Sequence, residues 1–342
     1  MAGVTRSFPR LFGLFQKRIQ GDDALLELAQ FRFRRSGLLP EYHAGDVAER
    51  NRMERFHPAP ERAGVLHLPR GLDLFRRDTR EYIAHIGTAG TGSLLGMVVH
   101  DQEEIRHDFG GYREALADLN RRLEGADTLK LFVEYAVGLD PELYCRTIEA
   151  AADLSAITAC IDIGHVGIRQ ARHCYEQRFP GRRLDAAETG SQGILERMPA
   201  VQEAVRAGCP AVVEMISRLA ALEKPVHFHL HDGHPLVENQ YGVPDHRSFL
   251  HRPVVHIGRE STRLEPLFGR RGIALILDAV RRSFPTDAVS LTLEIHETLE
   301  REALDNESLP LFSHWRDKTN AEKMNHWLLL LAANANLLRS QG

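Results

Sequence analysis

Residues 226–234 have the sequence VHFHLHDGH, in which apolar residues and histidines alternate. Side chains on a β-strand point to opposite faces in turn. We therefore expect Val226, Phe228 and Leu230 on one face, and on the other His227, His229 and His231. Such a strand fits the lumen of a (β/α)8 barrel, where one face packs on helices and reactive groups gather at the C-terminal strand ends. The alternative is a half-exposed strand that is merely rich in histidine.

The composition is that of a soluble globular protein. The chain has 342 residues and a mass of 38.6 kDa, with 43% hydrophobic and 26% charged residues. This length suits one barrel with insertions. The net charge of -4 gives no overall attraction to nucleic acid or to an anionic membrane. We therefore expect a small-molecule substrate as the partner, and neither nucleic acid nor a membrane.

Cysteine usage and the N-terminus indicate a cytoplasmic protein. The four cysteines are scattered and form no CxxC pair, which is typical of reduced, structural thiols. The apolar run at 11–15 ends at Gln16, Lys17 and Arg18, too early for a signal peptide. No run approaches the roughly 18 apolar residues that a membrane-spanning helix requires.

Short apolar runs alternate with helical patterns along most of the chain. This alternation is typical of βα units and a parallel sheet. Besides the opening stretch, we predict strands within 3–15 and at 38–43, 64–69, 96–101, 131–135, 160–165 and 289–296.

Helix signals fill the intervals between these strands. Gly37 ends a helix predicted over about 22–35. Asp140 and Pro141 begin another, as the N-cap and the first helical residue. Further helices are predicted at about 200–222, 268–282 and 321–338. The last is unusually apolar at 327–333, which we interpret as core packing; a dimer contact, and hence a homo-oligomer, is the alternative.

Two intervals are longer than a crossover needs. They span about 168–198 after the sixth strand and 233–268 after the seventh, and loops of this length are usually functional. The sequence FGRRG at 268–272 could hold a phosphate on backbone N–H groups, although glycines so spaced more often form a turn. We therefore predict a single domain over 1–342, an α/β protein of the (β/α)8 TIM barrel type with long insertions after strands 6 and 7.

Polar residues recur at the ends of six strands, on the face opposite the apolar positions. They are His67, His100, Glu134, Asp162, His165, His229 and Glu294. Carboxylates packed together raise each other's pKa unless a cation lies between them, and a divalent metal removes this conflict. Mixed carboxylate and imidazole ligands suit Mn, Zn, Fe, Co or Mg. Since no cysteine belongs to the set, we expect an open site rather than a closed structural zinc site.

These motifs resemble a known superfamily. Glu134, the sequence DIGH at 162–165, HLHD at 229–232 and Glu294 on the last strand resemble the xylose isomerase-like TIM barrels in order and spacing. That group includes sugar isomerases and epimerases, inosose dehydratases and AP endonucleases of the endonuclease IV type. The resemblance covers roughly residues 38–298 and is specific for fold and metal site, but not for substrate.

The ketose epimerase branch implies a site with one metal. Its ligands would be Glu134, Asp162, His229 and Glu294. The metal would chelate a carbonyl and a neighbouring hydroxyl group, stabilising an enediolate. Glu134 and Glu294 would remove and return the proton as general bases. His165 would hydrogen-bond the substrate, and His67 and His100 would be substrate contacts or bystanders. His231 is a further candidate for substrate binding.

The endonuclease IV branch implies a trinuclear zinc cluster that activates water for attack on a phosphodiester. His67, His100 and His165 would then join the four carboxylate and imidazole ligands above. The Asp-x-His pair of that branch is not reproduced, because Asp245 and His246 are adjacent and His256 has no Asp two residues before it. These three residues remain further candidate ligands. The net charge and the lack of a basic, aromatic face argue against a nuclease.

Two more alternatives remain open on the same barrel. The surplus of histidines would suit an oxygen-dependent enzyme with two or three irons. A scaffold or ligand sensor would need an occupied but inert site, which is uncommon in this fold. We predict a metal-dependent sugar or polyol isomerase or epimerase that uses one to three divalent ions.

Overall fold

The computed structural model describes residues 8–15, 20–56, 64–89, 94–125, 129–238, 243–257, 260–296 and 320–341. Its strands are β1 (Arg10–Leu14), β2 (Leu39–His43), β3 (Gly64–His67), β4 (Leu94–His100), β5 (Lys130–Glu134), β6 (Ile157–Asp162), β7 (Val226–Leu230), β8 (Val254–Ile257), β9 (Glu260–Arg263) and β10 (Val289–Leu293). Eight of them close a parallel barrel in the order β1-β10-β7-β6-β5-β4-β3-β2. The predicted (β/α)8 barrel is therefore confirmed.

Helices follow the barrel strands on the outside. They are α1 (Asp23–Ser36), α2 (Val47–Phe56), α3 (Arg77–Thr88), α4 (Phe109–Leu123), α5 (Pro141–Ala150), α6 (Ile163–Arg178), α7 (Ile194–Arg206), α8 (Gly208–Ala220), α9 (Gly269–Ser283) and α10 (Asn320–Ser340). The intervals 168–198 and 233–268 lie between β6 and β7 and between β7 and β10. The second carries an antiparallel hairpin of β8 and β9.

The strand faces are those that the alternation predicts. Residues such as Leu66 and Phe228 pack outward into the core between sheet and helices. A separate apolar layer fills the barrel interior below the strand ends, made of Phe12, Val65, Val98, Phe132 and Cys160. Since side chains two residues apart share a face, the polar residues that follow these positions point into the same lumen.

Two predicted helix boundaries are confirmed by their caps. The carboxylate of Asp22 accepts the N–H groups of Ala24 and Leu25 at the start of α1, and Gly37 ends that helix at φ 59°, a left-handed conformation that glycine adopts without strain. At the start of α5, Asp140 accepts the N–H of Glu142, and a proline occupies the first helical position.

Two other sequence predictions were wrong at this level. The single helix predicted at 200–222 is two helices, α7 and α8. Pro210 lacks an N–H group and lies in the first turn of α8, where no N–H group has a partner within the helix. Strand β6 ends at Asp162 rather than at His165. The Asp162 side chain accepts the N–H of His165 at 2.8 Å and caps α6, so His165 lies in the first turn of that helix.

Asp232, at the end of the opening stretch, holds the long second interval in place. Its carboxylate accepts the N–H groups of Gly233 at 2.8 Å, Phe268 at 3.1 Å and Gly269 at 2.7 Å. Burial raises the pKa of Asp232 to about 6. Because two N–H groups at the start of α9 already donate to this carboxylate, fewer are left for the phosphate considered at 268–272.

The C-terminal helix α10 packs against α1 on the outside of the barrel. Trp327, Leu328 and Leu331 are buried, and the indole N–H of Trp327 donates to the carbonyl oxygen of Ile295 at 2.5 Å. The core-packing interpretation of this apolar segment is therefore confirmed. Among the residues described, no helix is both long and apolar enough to cross a membrane. One domain, a cytoplasmic location and homo-oligomerisation all stay predictions.

Candidate metal centre

The C-terminal end of the barrel holds a first group of ligands, made of His67, His100 and Glu134. Their nearest donor atoms lie within 4.8 Å of one another. The Nε2 atoms of His67 and His100 are 3.3 and 3.5 Å from Oε2 of Glu134. Strands β4 and β5 pair His100 directly with Glu134, and β3 places His67 beside them. Three neighbouring strands thus bring two imidazoles to one carboxylate.

A second group comprises Asp162, His165, His231 and His246, whose donor atoms also lie within 4.8 Å of one another. Asp162 lies 2.9 Å from Nε2 of His231 and 3.5 Å from Nδ1 of His165. The carboxylate of Asp245 joins the group, because it lies 3.2 Å from Nε2 of His165 and 2.5 Å from Nδ1 of His246. Residues from β6, α6 and the interval after β7 therefore converge here.

His229 and Glu294 link the two groups. Nδ1 of His229 is 3.5 Å from Glu134 of the first group and 3.0 Å from Oε2 of Glu294. The other oxygen of Glu294 is 3.2 Å from Nε2 of His246 in the second group. The polar side chains consequently form one continuous cluster across the barrel mouth.

The donors of this cluster fit a divalent metal ion. Within the part of the chain that the structure describes, four of its buried atoms have charged neighbours but make no hydrogen bond of good geometry: Oε2 of Glu134, Nδ1 of His229, Nε2 of His246 and Oε2 of Glu294. Buried polar atoms are rarely left so in native proteins, and each costs about 1–3 kcal/mol. Carboxylate oxygens and imidazole nitrogens are also the donors that Mn, Zn, Fe and Co accept. A cation between them would satisfy these atoms together.

The electrostatics of the cluster point the same way. Burial alone would lower the pKa of His165, but Asp162 and Asp245 raise it to about 10. Burial would also lower the pKa of His246, yet Glu294 and Asp245 hold it well above its usual range. The carboxylates therefore stabilise positive charge nearby. Where no metal is bound, protons on the neighbouring imidazoles supply that charge.

Two side chains of these groups are partly exposed. Those of His100 and His165 are 16% and 18% exposed, whereas those of Glu134 and Asp162 are at most 2% exposed. Burial lowers the pKa of His100 to about 4, so this imidazole is neutral at physiological pH. A cavity of about 290 Å³ adjoins His100, with Asp101 among its lining residues. These two imidazoles are therefore placed where a substrate could contact the cluster.

The predicted one-metal set is divided between neighbouring positions. Glu134 and Glu294 each contact His229, while Asp162 contacts His231 and His165. Asp162 nevertheless pairs in register with His229 on the adjoining strand. The backbone of His256 lies in β8, but its side chain is outside the part of the chain that the structure describes.

Sequence reasoning missed Glu41. This residue is fully buried on β2, and its carboxylate contacts His227, His229 and Thr292 inside the barrel. It lies on a strand that was predicted, facing the lumen, but its partners are at least 186 residues away along the chain. Glu41 is two residues from Leu39 on β2 and so shares its face. This local pattern could have placed Glu41 among the candidate site residues.

The chain is a (β/α)8 barrel. No family model matches it, and no curated protein does either. A protein of Anabaena variabilis, provisionally named a sugar phosphate isomerase/epimerase, superposes with a TM-score of 0.44 at 10% identity, over 98% of this chain and 100% of that chain. The carboxyl transferase domain of Rhizobium etli pyruvate carboxylase superposes with a TM-score of 0.38 at 8% identity, over 98% of this chain and 48% of that chain. The fold assignment rests on the closed sheet itself.

Gly164 leaves the space that the ring of His231 occupies. A Cβ atom at this position would lie 1.9 Å from Cε1 of His231. We expect Gly164→Ala to displace that ring, to destabilise the protein by about 1–3 kcal/mol and to weaken metal binding by the second group. Urea unfolding and zinc titration measure the two effects. Gly190→Ala is the matched control, because no heavy atom lies within 4 Å of its added Cβ; equal behaviour of the two variants would contradict the prediction.

Proposed function

We propose that this chain is a divalent-metal-dependent isomerase or epimerase that moves a proton next to a carbonyl group of a small polyhydroxylated substrate. The observation that carries the proposal is the approach of two buried carboxylates, Glu134 and Glu294, to Nδ1 of His229. Their strands, β5 and β10, lie on either side of β7 in the barrel. The two acids therefore reach the same point from opposite directions.

Glu134, His229 and Glu294 would hold the ion, with Asp162 beside them on the neighbouring strand. Their oxygen and nitrogen donors match the unpartnered atoms of the cluster. When bound, a divalent ion would supply Lewis acidity that polarises the substrate carbonyl.

The chain's own side chains would move the proton. Burial alone would raise the pKa of Glu134, but His100 and His229 hold it well below its usual range. Glu294 is held low in the same way by His246 and His229. Both carboxylates are therefore ionised at neutral pH, as a general base must be. One carboxylate would remove the proton and become neutral, and the other would take up a proton from solvent before it returns one to the substrate.

The partly exposed imidazoles would bind the substrate. His165 and His100 line the mouth, so their ring nitrogens can meet hydroxyl groups of an incoming polyol. His67 and His231 are buried behind Glu134 and Asp162, which favours a role as ligands over substrate contact.

A second candidate is a hydrolase with two or three metal ions. The division of the ligands into two groups linked by Glu294 favours it, because paired ions can activate water and stabilise a leaving oxygen. In that case the second group would hold its own ion through His165, His231 and His246.

Metal content and solvent exchange test the proposal together. Protein purified without chelator is analysed for bound metals and then incubated in D2O with a panel of ketoses, aldoses and polyol ketones. We expect deuterium at the carbon next to the carbonyl, detected by NMR, and its loss in Glu134→Gln. Glu188→Gln is the matched control, since Glu188 is a buried carboxylate on a 3₁₀ turn and is bound by Tyr175 and Arg197, which belong to neither group of ligands.

Other outcomes would reject the isomerase. Cleavage of bis(p-nitrophenyl) phosphate without deuterium exchange would establish the hydrolase instead. Oxygen consumption that depends on iron would support the oxidative alternative. A chain that binds no divalent ion would contradict all three activities.

A further inference from the structure

Below the metal centre lies a carboxylate that no part of the proposed reaction uses. Glu41 on β2 is 0% exposed and sits one layer deeper in the lumen than Glu134 and Glu294. Its Oε1 atom lies 3.0 Å from Nε2 of His229, and its Oε2 atom lies 3.1 Å from Nε2 of His227. A buried carboxylate is retained at a high desolvation cost, so its contacts call for a physical explanation.

The two nitrogens of His229 face different partners. Nδ1 faces Glu134 and Glu294 at the candidate metal position, and Nε2 faces Glu41. An ionised carboxylate can only accept a hydrogen bond. Nε2 of His229 must therefore carry a proton, which leaves Nδ1 as the nitrogen able to bind a cation.

We propose that Glu41 is a positioning residue that fixes His229 with Nε2 protonated and Nδ1 turned toward the metal. The inference rests on the proposed metal dependence and concerns a residue that touches neither substrate nor reacting atoms. Carboxylates behind metal-binding histidines have this effect in general, because they set the ring orientation and make the ligand more basic.

Glu41 is itself held rigidly. The hydroxyl of Thr292 donates to Oε2 of Glu41 at 2.5 Å. The ring of His227 is fixed on its other side by Ser290, with 2.6 Å between Nδ1 and Oγ, and Phe132 stacks on it at a centroid distance of 4.9 Å. Three hydrogen-bonding groups, the Thr292 hydroxyl and the Nε2 atoms of His227 and His229, therefore surround the two oxygens of Glu41, an arrangement that suits an ionised carboxylate.

A direct role as a ligand is the competing explanation. Donor atoms of Glu41, His67 and His229 lie within 4.8 Å of one another, so these residues could in principle hold an ion themselves. However, both oxygens of Glu41 already face hydrogen-bond donors. This occupancy favours the positioning role, and the experiment separates the two.

Glu41→Gln and Glu41→Ala are compared with wild type and with Glu188→Gln. Zinc affinity is measured by competition with a chromophoric chelator, and the histidine tautomers of the zinc-loaded protein by ¹⁵N NMR. In wild type we expect a proton on Nε2 of His229. In Glu41→Ala zinc affinity should fall about 10- to 100-fold, the usual effect of removing such a partner. Glu41→Gln should recover part of the affinity, because the amide oxygen can still accept from His229.

Three results would overturn the inference. The first is a wild-type His229 that binds zinc through Nε2. The second is a zinc affinity in Glu41→Ala equal to that of the Glu188→Gln control. The third is that Glu41→Gln and Glu41→Ala both lose one zinc ion per chain completely. This result would make Glu41 a ligand. Failure of the isomerase proposal is distinguishable, since it is read from solvent exchange in wild type rather than from zinc affinity or tautomer.

Discussion

Glu294→Gln should lower turnover by about 100- to 10,000-fold, the range expected when a general base is lost. It should also weaken metal binding, because Glu294 joins Nδ1 of His229 to Nε2 of His246. The amide offers one neutral oxygen and an NH2 donor in place of two carboxylate oxygens, so both groups lose the carboxylate that they share. Turnover is measured as deuterium exchange into the substrate, and metal content by elemental analysis after dialysis.

The control for this experiment is again Glu188→Gln. Glu188 accepts hydrogen bonds from Tyr175 and Arg197, so its substitution also removes a buried charge. We expect that variant to lose stability but to keep turnover and metal. A Glu294→Gln protein that turns over at the wild-type rate would eliminate the proton-transfer role.

Removal of the metal should destabilise the protein and should make its free energy of unfolding fall as the pH rises. An ion present at about 1,000 times its Kd contributes about 4 kcal/mol to the free energy of unfolding. In the metal-free protein, Asp162 and Asp245 raise the pKa of His165 to about 10 from an ordinary value of 6.5. Its charge is therefore fully stabilising below about pH 6.5, and that contribution is lost as the pH rises toward 10.

The metal-loaded protein should not show this loss, because an ion beside Asp162 supplies the positive charge in place of the proton on His165. For the same reason, metal affinity should increase with pH, and binding near pH 7 should release protons. Urea unfolding of both forms between pH 6 and 10 measures the difference. His165→Gln should flatten the slope of the metal-free form, and the surface substitution His173→Gln should leave it unchanged. Equal slopes for the two forms would contradict the prediction.

The sequence was sufficient to predict the barrel because apolar and polar residues alternate within the strands and so distinguish their two faces. In residues 226–230, for example, alternation alone separates Phe228, in the outer core, from His227 and His229, in the lumen. Helix ends with a chemical marker, such as Asp140 and Gly37, were equally predictable. These features depend on residues only a few positions apart.

What could not be predicted depends on distant residues. Glu41 belongs to the site through His227, His229 and Thr292, which reach it only once the sheet has closed. Likewise, the division of the ligands into two groups follows from side-chain directions at the mouth, which strand order does not specify. The interruption between α7 and α8 has a local cause in Pro210, but a helix-length apolar pattern concealed it.

The apolar layer of Phe12, Val65, Val98, Phe132 and Cys160 seals the bottom of the lumen. An ion held above it would lie near two partly exposed side chains of the described residues, His100 and His165. A molecule resting on these imidazoles would cover the ion on that side and slow its dissociation while catalysis proceeds. This arrangement favours an order of binding in which the ion precedes the substrate and the product leaves before the ion.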